Sequence, residues 1–166
     1  MGFYEQTGIL ILGTRFRRLS EKFLSEISKI YKILNIDFEP TWFPIFYLLY
    51  KRNTISVTEI SEELTVSQPA VSQLVSILIQ KGFLRLINDK IDKRKKMVYF
   101  TSKGKDLLMK LIPIWETMEK SMFEIFNDDA DIHIVESFNE LERKINRSCL
   151  CDSVINKLSM EEACVY

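Results

Sequence analysis

The sequence is poor in the residues on which catalysis and metal binding usually depend, with 1 histidine and 3 cysteines in 166 residues. His133 stands alone, so no catalytic triad is legible and no histidine-rich metal cluster can be assembled. A single histidine near the start of a helical stretch reads as a surface or capping residue. Cys149, Cys151 and Cys164 come late in the chain. Cys149-x-Cys151 puts two thiols on different faces of a helix, and a zinc site would need further ligands at matching positions. They read as free thiols in a reducing compartment, with redox sensing and an intersubunit disulfide as the alternatives. No run approaches the roughly 18 apolar residues of a spanning helix, which excludes one. The apolar Gly8–Gly13 stretch is a poor signal peptide, because Glu5 precedes it and Arg15, Arg17 and Arg18 follow closely. Gly2 begins no myristoylation signal, since Gln6 occupies the position that needs Ser or Thr. The expected compartment is the cytoplasm. No enzyme activity, cofactor, catalytic residue or metal ligand is expected.

The chain also lacks net charge, with 23 basic and 23 acidic side chains. Zero overall would argue against a polyanionic partner, so the distribution matters. Residues 1–50 carry +1, residues 51–105 carry +6 and residues 106–166 carry −7. The basic excess is confined to the middle of the chain. A charge run is ordinarily just a solvated face; its meaning depends on the element that carries it. Length and an apolar fraction of 46% suit a single domain, 1–166, with room for a helical extension.

What is present centres on Ser56 to Thr101. Ser56-x-x-Glu59 is a capping box, in which the serine hydroxyl accepts from the third amide and the carboxylate reaches back to the cap amide. A second start follows at Ser67, with Pro69 tolerated in the first turn. Val71, Leu74, Val75 and Leu78 recur at helical spacing until Gly82 ends the run. The period then changes to two. Leu84 and Leu86 alternate with Phe83 and Arg85, and Val98 and Phe100 with Met97 and Tyr99, which predicts two half-buried strands. The polar loop between them, Asn88 to Lys95, carries Lys90, Lys93, Arg94 and Lys95. Two short helices at a tight turn, followed by a hairpin with a basic tip, make a winged helix-turn-helix over residues 53–104.

On the second of these helices Gln68, Ser72, Gln73 and Ser76 face away from the apolar side, which must sit on Ile60 and Leu64. Short polar groups on an exposed helix can reach base edges in a major groove. A basic wing can follow phosphates or enter a minor groove. Ser67, Gln68, Pro69, Ser72, Gln73, Ser76, Lys93, Arg94 and Lys95 are therefore the candidate contacts to double-stranded DNA.

These residues resemble the MarR family of winged-helix regulators, through SVTEISEELTVSQPAVSQLVSILIQKGFL and DKRKKMVYFTSKG. The resemblance implies a two-fold dimer on a pseudopalindromic operator, a second helix reading the major groove, and a wing arginine in the minor groove. Asp92-x-Arg94 is similar to the family's Asp-x-Arg, which assigns that role to Arg94 and its restraint to Asp92. Thr101-x-x-Gly104 is similar to the family's Thr-x-x-Gly at the root of the next helix. The chain departs from the family at Gln73, where an arginine is frequent, and at Ile77. No Lys or Arg occurs between Asn53 and Gln80, so the wing must supply much of the electrostatic attraction.

The flanks predict long helices. Gln6 to Leu34 reads as one, with Leu12, Phe16, Leu19, Phe23, Ile27, Ile30, Tyr31 and Leu34 forming an apolar stripe longer than a small winged core needs. A second helix opens at Pro40 and runs to about Tyr50. Its aromatics are ordinarily core packing; the alternative is that Trp42, Phe43 and Phe46 line a cleft for a small aromatic effector, as in related regulators. FEPTWFP, residues 38–44, resembles the subset of the family sometimes fused to an acetyltransferase domain, for which this chain is too short. A helix from Thr101 to about Phe126, bent or interrupted near Pro113, is followed by the break NDDAD, residues 127–131. Ile134, Phe138, Leu141, Ile145 and Cys149 then continue at helical spacing, extended by Val154, Ile155 and Leu158. Residues 1–36 and 104–160 are thus expected to form the dimerisation region. The expectation is a mainly α fold with a small β-hairpin wing, flanked by long dimerisation helices. Its expected role is that of a sequence-specific DNA-binding transcriptional regulator acting as a homodimer, with a small-molecule effector as a further partner. The alternative is a dimeric winged-helix protein-interaction module with little specific DNA binding.

Overall fold

Six aromatic rings, Tyr31, Phe38, Trp42, Phe46, Phe83 and Phe100, pack into one cluster centred on Phe38 and Phe46. The structure, a computed structural model, describes residues 2–89, 95–126 and 133–163. The wing-tip residues Lys90, Asp92, Lys93 and Arg94, the NDDAD segment and Cys164 lie outside the described residues. The chain divides into two units, Met1–Leu111 and Ile112–Tyr166.

In the first unit the predicted Gln6–Leu34 helix is not continuous. It is α1 (Phe3–Gln6), a 3-10 turn (Gly8–Ile11) and α2 (Leu12–Ile33). Gly8 adopts φ +56°, a left-handed conformation that interrupts the ladder of amide-to-carbonyl bonds and that glycine tolerates best. At the other end Asn35, at φ +53°, closes α2 in a Schellman turn, with Ile36 N donating to Tyr31 O and Asn35 N to Lys32 O. The next segment opens with a 3-10 turn, Pro40–Trp42, before α3 (Phe43–Arg52). Phe38 stands edge-on to Tyr31, Trp42 and Phe46 at 5.1, 5.6 and 5.0 Å, and Phe46 stands edge-on to Phe100 at 5.0 Å. Phe83 completes the cluster against Trp42 and Phe46. Edge-to-face pairs of this kind add to the stabilisation from area burial, by roughly 0.5–1.5 kcal/mol each. The FEPTWFP motif is thereby explained: Phe38 and Trp42 are buried, and its two prolines stand in the first turns of consecutive helical segments.

The winged segment follows as β1 (Ile55–Ser56), α4 (Val57–Leu64), α5 (Gln68–Gln80), β2 (Leu84–Asn88) and β3 (Lys96–Phe100). The sheet has three strands in the order β1-β3-β2, all antiparallel, so the expected two-stranded hairpin is corrected to a sheet with a short third member. Two residues are too few to show a period, which is why β1 escapes a pattern search. The alternation expected in the hairpin holds for β3, where Val98 and Phe100 are buried, and fails for β2. Phe83 and Leu84 are both buried, while Leu86 and Ile87 are 38% and 43% exposed. β2 is an edge strand covered only at its root; beyond Leu84 both of its faces meet solvent.

The local signals read from the sequence have identifiable partners. Ser56 accepts from the Glu59 amide at 3.1 Å and its own amide donates to the Glu59 carboxylate at 2.8 Å, completing the capping box. Gly82, at φ +78°, ends α5 in a second Schellman turn, with Phe83 N donating to Leu78 O and Gly82 N to Ile79 O. Thr101 caps α6 (Ser102–Phe126) by accepting from the Gly104 amide at 3.0 Å. Gly104 is required for a different reason: a Cβ there would collide with the Phe83 backbone carbonyl.

α6 begins in the first unit and continues into the second, remaining helical through Pro113. The second unit adds α7 (Ile134–Arg147) and α8 (Leu150–Ala163). The single helical stretch expected past Ile145 is corrected here, because Ser148 has extended backbone, φ −120° and ψ 122°, and separates the two. α7 buries none of its residues, and Val135, Phe138, Ile145, Leu150, Val154, Ile155 and Leu158 are all exposed.

Candidate nucleic-acid interface

The geometry of α5 follows from what lies beneath it. Val71, Val75 and Leu78 are at most 2% exposed, and α5 is in contact with α4, whose Ile60 is fully buried. Burying one stripe fixes the rotation of the helix, and Gln68, Pro69, Ser72, Gln73 and Ser76 are consequently exposed, with Ser67 at the cap. These six residues share one outward surface. Ile77 lies among the exposed residues as well, at 38%.

Their side chains are not equivalent. Ser67 occupies the cap position of α5 but its hydroxyl makes no capping bond, so it is available to an external acceptor or donor. Ser76 donates to the Ser72 carbonyl at 2.7 Å, which leaves its hydroxyl oxygen only as an acceptor. Gln68 Nε2 donates to Thr58 Oγ1 at 3.2 Å, bridging the first residue of α5 to the second residue of α4. Thr58 is exposed and belongs to this surface, although sequence spacing does not reveal it. Nothing in the sequence relates it to a residue ten positions later.

The other end of α5 is braced. Lys81 Nζ lies 3.0 Å from both carboxylate oxygens of Asp37 and 5.0 Å from the centre of the Trp42 ring. Its carbonyl accepts from Lys103 Nζ at 2.8 Å, and that ammonium covers the Phe83 ring. The C-terminus of α5 is thus tied both to the segment after α2 and to the first turn of α6. Arg52, the last residue of α3, pairs with Glu63 near the end of α4.

The root of the wing is described although its tip is not. Asn88 pairs with Lys96, and the Asp89 amide donates to the Lys95 carbonyl at 2.9 Å, so the two strands remain in register up to residues 89 and 95. Lys95 and Lys96 are exposed. The charge of Lys95 also acts on Glu59. That carboxylate is held below the ordinary glutamate range, first by hydrogen bonding to the Ser56 side chain and then to its amide, with Lys95 and Arg52 reinforcing the effect against burial.

The three aromatics considered for a cleft are separated by the fold. Trp42 and Phe46 are 4% and 0% exposed inside the aromatic cluster, whereas Phe43 is 37% exposed and stacks on Tyr47 at 5.3 Å. Of the cysteines, Cys149 and Cys151 are free and exposed. His133 precedes α7 at its cap position without a side-chain capping bond. Among the described residues no helix is long and apolar enough to cross a membrane.

A buried-stripe helix in a helix-turn-helix, followed by a three-stranded wing and a long capped helix, defines a winged helix-turn-helix protein. The MarR family model matches residues 36–95. An uncharacterized HTH-type transcriptional regulator of Bacillus subtilis strain 168, YkoM, is 34% identical over 77 residues, covering 46% of this chain and 50% of that protein. The chain therefore spans about half the length of the curated relative it matches. Among solved structures, the S. aureus MepR–DNA complex has a TM-score of 0.70 at 18% identity, covering 81% of this chain and 97% of that one. A mutant E. coli MarR complexed with operator DNA has a TM-score of 0.66 at 17% identity, covering 84% and 96%. At these identities the structural likeness establishes the fold. Over residues 36–95 the chain is thus similar in sequence to the MarR family, and it shares the fold of these solved structures.

Proposed function

We propose that this chain is a sequence-specific, DNA-binding transcriptional regulator that acts as a homodimer on a pseudopalindromic site. The observation that carries the reading is the exposed face of α5, whose polar residues Ser67, Gln68, Ser72 and Gln73 point outward because Val71, Val75 and Leu78 are buried beneath them. Glutamine amides pair with adenine in two hydrogen bonds, and hydroxyls adapt to either donor or acceptor edges. The two structural neighbours solved with DNA support the same use of the fold.

α5 itself is neutral, so the reading places the attraction to phosphates on Lys93, Lys95 and Lys96, with Arg94 as the minor-groove contact. An arginine fork fits a narrow minor groove better than a lysine. The apolar residues exposed on α2, α7 and α8 would be covered by a second copy, and a two-fold dimer would present two α5 helices to successive major grooves. An effector would change the separation of the two winged segments, and an aromatic one would meet Phe43 first. The neutral α5 and the exposed Ile77 favour a second reading, in which the same surface docks a protein.

The test is selection of duplexes from a random pool by the full chain, followed by affinity measurements over a salt series on the recovered and scrambled duplexes. Arg94→Ala should weaken binding strongly and reduce preference for A·T flanks. Lys95→Ala or Lys96→Ala should weaken all duplexes alike and lower the salt slope by about one. Alanine at Gln73 should relax preference at one base pair of each half-site, by roughly 1–3 kcal/mol. Failure to enrich any duplex, with no effect of Arg94→Ala at low salt, would leave the protein-docking reading.

A further inference from the structure

We propose that Thr58 is a specificity-determining positioning residue, whose hydroxyl orients the Gln68 amide for base reading. The inference rests on the DNA-binding reading above and adds to it a residue outside α5.

The geometry is a short chain of constraints. Ile55 is buried and pairs with Val98, which fixes the strand leading into α4. Ser56 and Glu59 then close the capping box, so the first turn of α4, and Thr58 within it, has a fixed position. A β-branched side chain has few χ1 choices, and Thr58 is correspondingly stiff. Its oxygen accepts from Gln68 Nε2 at 3.2 Å. Gln68 is otherwise an exposed residue at the start of a helix, with three soft torsions that would have to be ordered on binding.

The hydrogen bond does not exhaust the amide. A primary amide has two N–H donors and an acceptor oxygen. With one N–H spent on Thr58, the second N–H and Oε1 remain, and these are the donor and acceptor that adenine N7 and its N6 amino group require. Thr58 therefore restrains the side chain without blocking its reading edge. Gln73, the other candidate reader, has no comparable anchor among the described residues. The two glutamines should differ, with Gln68 the stricter of the pair.

The experiment compares the wild-type chain with Thr58→Val, Thr58→Ser, Gln68→Ala and the Thr58→Val/Gln68→Ala double variant. Each is measured on the duplex recovered by wild-type selection, on its single-base-pair variants and on a scrambled duplex. Thr58→Val should lose roughly two- to tenfold of the discrimination at one base pair per half-site, the range expected when one side chain must be ordered on binding. Affinity for the scrambled duplex should stay unchanged. Thr58→Ser should retain the discrimination, and Thr58→Val should have no further effect once Gln68 is alanine. An equal loss on every duplex, or an undiminished effect in the Gln68→Ala background, would show that Thr58 touches DNA itself and overturn the proposal. A wild type that enriches no duplex would instead defeat the DNA-binding reading. An arm without DNA keeps the two failures apart: NMR couplings should report a single Gln68 χ1 rotamer in wild type and averaging in Thr58→Val, and averaging already in wild type would overturn the positioning role.

Discussion

The Thr101 hydroxyl donates to the Gly82 carbonyl across 2.6 Å, joining the residue that starts α6 to the turn that ends α5. The same oxygen accepts from the Gly104 amide, and the Thr101 amide donates to the Phe83 carbonyl at 3.0 Å. One residue thus caps one helix, satisfies the terminus of another and closes the root of the wing. Thr101→Val keeps the shape and removes the hydroxyl, leaving a part-buried carbonyl and a helix amide unpaired. The expected loss is about 1–3 kcal/mol of unfolding free energy, with Thr101→Ser losing much less, measured by urea denaturation. A valine variant as stable as wild type would mean that water replaces both bonds at no cost.

Gly104→Ala tests the same junction by volume. Its added methyl would meet the Phe83 backbone carbonyl, which has no rotamer through which to retreat. Overpacking of this kind costs about 1–3 kcal/mol, and the strain should also disturb Phe83 in the aromatic cluster. A lowered melting temperature together with changed near-ultraviolet circular dichroism is expected. Gly2 and Gly13 have open space where a methyl would go, and alanine at Gly13, inside α2, is the control that should not lower the melting temperature and should leave the near-ultraviolet signal unchanged.

Acid should remove the contribution of the capping box to stability. The pKa of Glu59 is depressed in the folded state, so the folded protein holds its carboxylate ionised at pH values where the unfolded chain takes up a proton. The contribution of Glu59 to stability is complete above the ordinary glutamate range. It falls as pH drops through that range towards the depressed value, and is gone below it. Glu59→Gln can still bond the Ser56 amide but cannot titrate. Its stability should therefore vary less with pH than that of the wild type between neutral and strongly acidic solution, as followed by urea midpoints. Parallel curves would show that the capping box does not contribute to the acid response.

Assembly is tested at residues that a single copy leaves open. Leu19 on α2 is 49% exposed and Ile145 on α7 is 59% exposed. If a second copy covers them, the wild type should be dimeric at low micromolar concentration by light scattering. Leu19→Glu with Ile145→Glu should then give a folded monomer with unchanged helical circular dichroism, since neither side chain supports the core of one copy. A monomeric wild type would remove the two-fold operator from the proposed function.

Much of this protein was legible in its sequence, because the deciding interactions are local. The Ser56–Glu59 capping box spans three residues, the α5 stripe repeats every three or four, and Gly82 ends its helix through bonds to carbonyls only three and five residues back. Periodicity and turn chemistry are sufficient for such features. Gly8 was a more ambiguous signal: glycine is tolerated inside helices, and only its left-handed backbone shows that the first helix is broken there.

The rest depends on which segments meet. β1 exists because Ile55 and Ser56 pair with Val98 and Met97 more than forty residues later, and two residues have no period of their own. β2 departs from alternation because, among the described residues, its outer half is exposed on both faces, a fact about neighbours and not about the strand. Trp42, Phe43 and Phe46 have the composition of either a core or a ligand cleft; the packing of Trp42 and Phe46 with Phe38, Phe83 and Phe100 assigns those two to the interior and leaves Phe43 outside. The bond from Gln68 to Thr58 is of the same kind, since it requires α4 and α5 to be seated on each other before the two side chains are within reach. Sequence determined the helix caps, the α5 stripe and the two strands of the wing, through interactions whose partners are a few residues away; tertiary structure decided β1, which faces are covered and which side chains act together, because those energies arise only when distant segments are in contact.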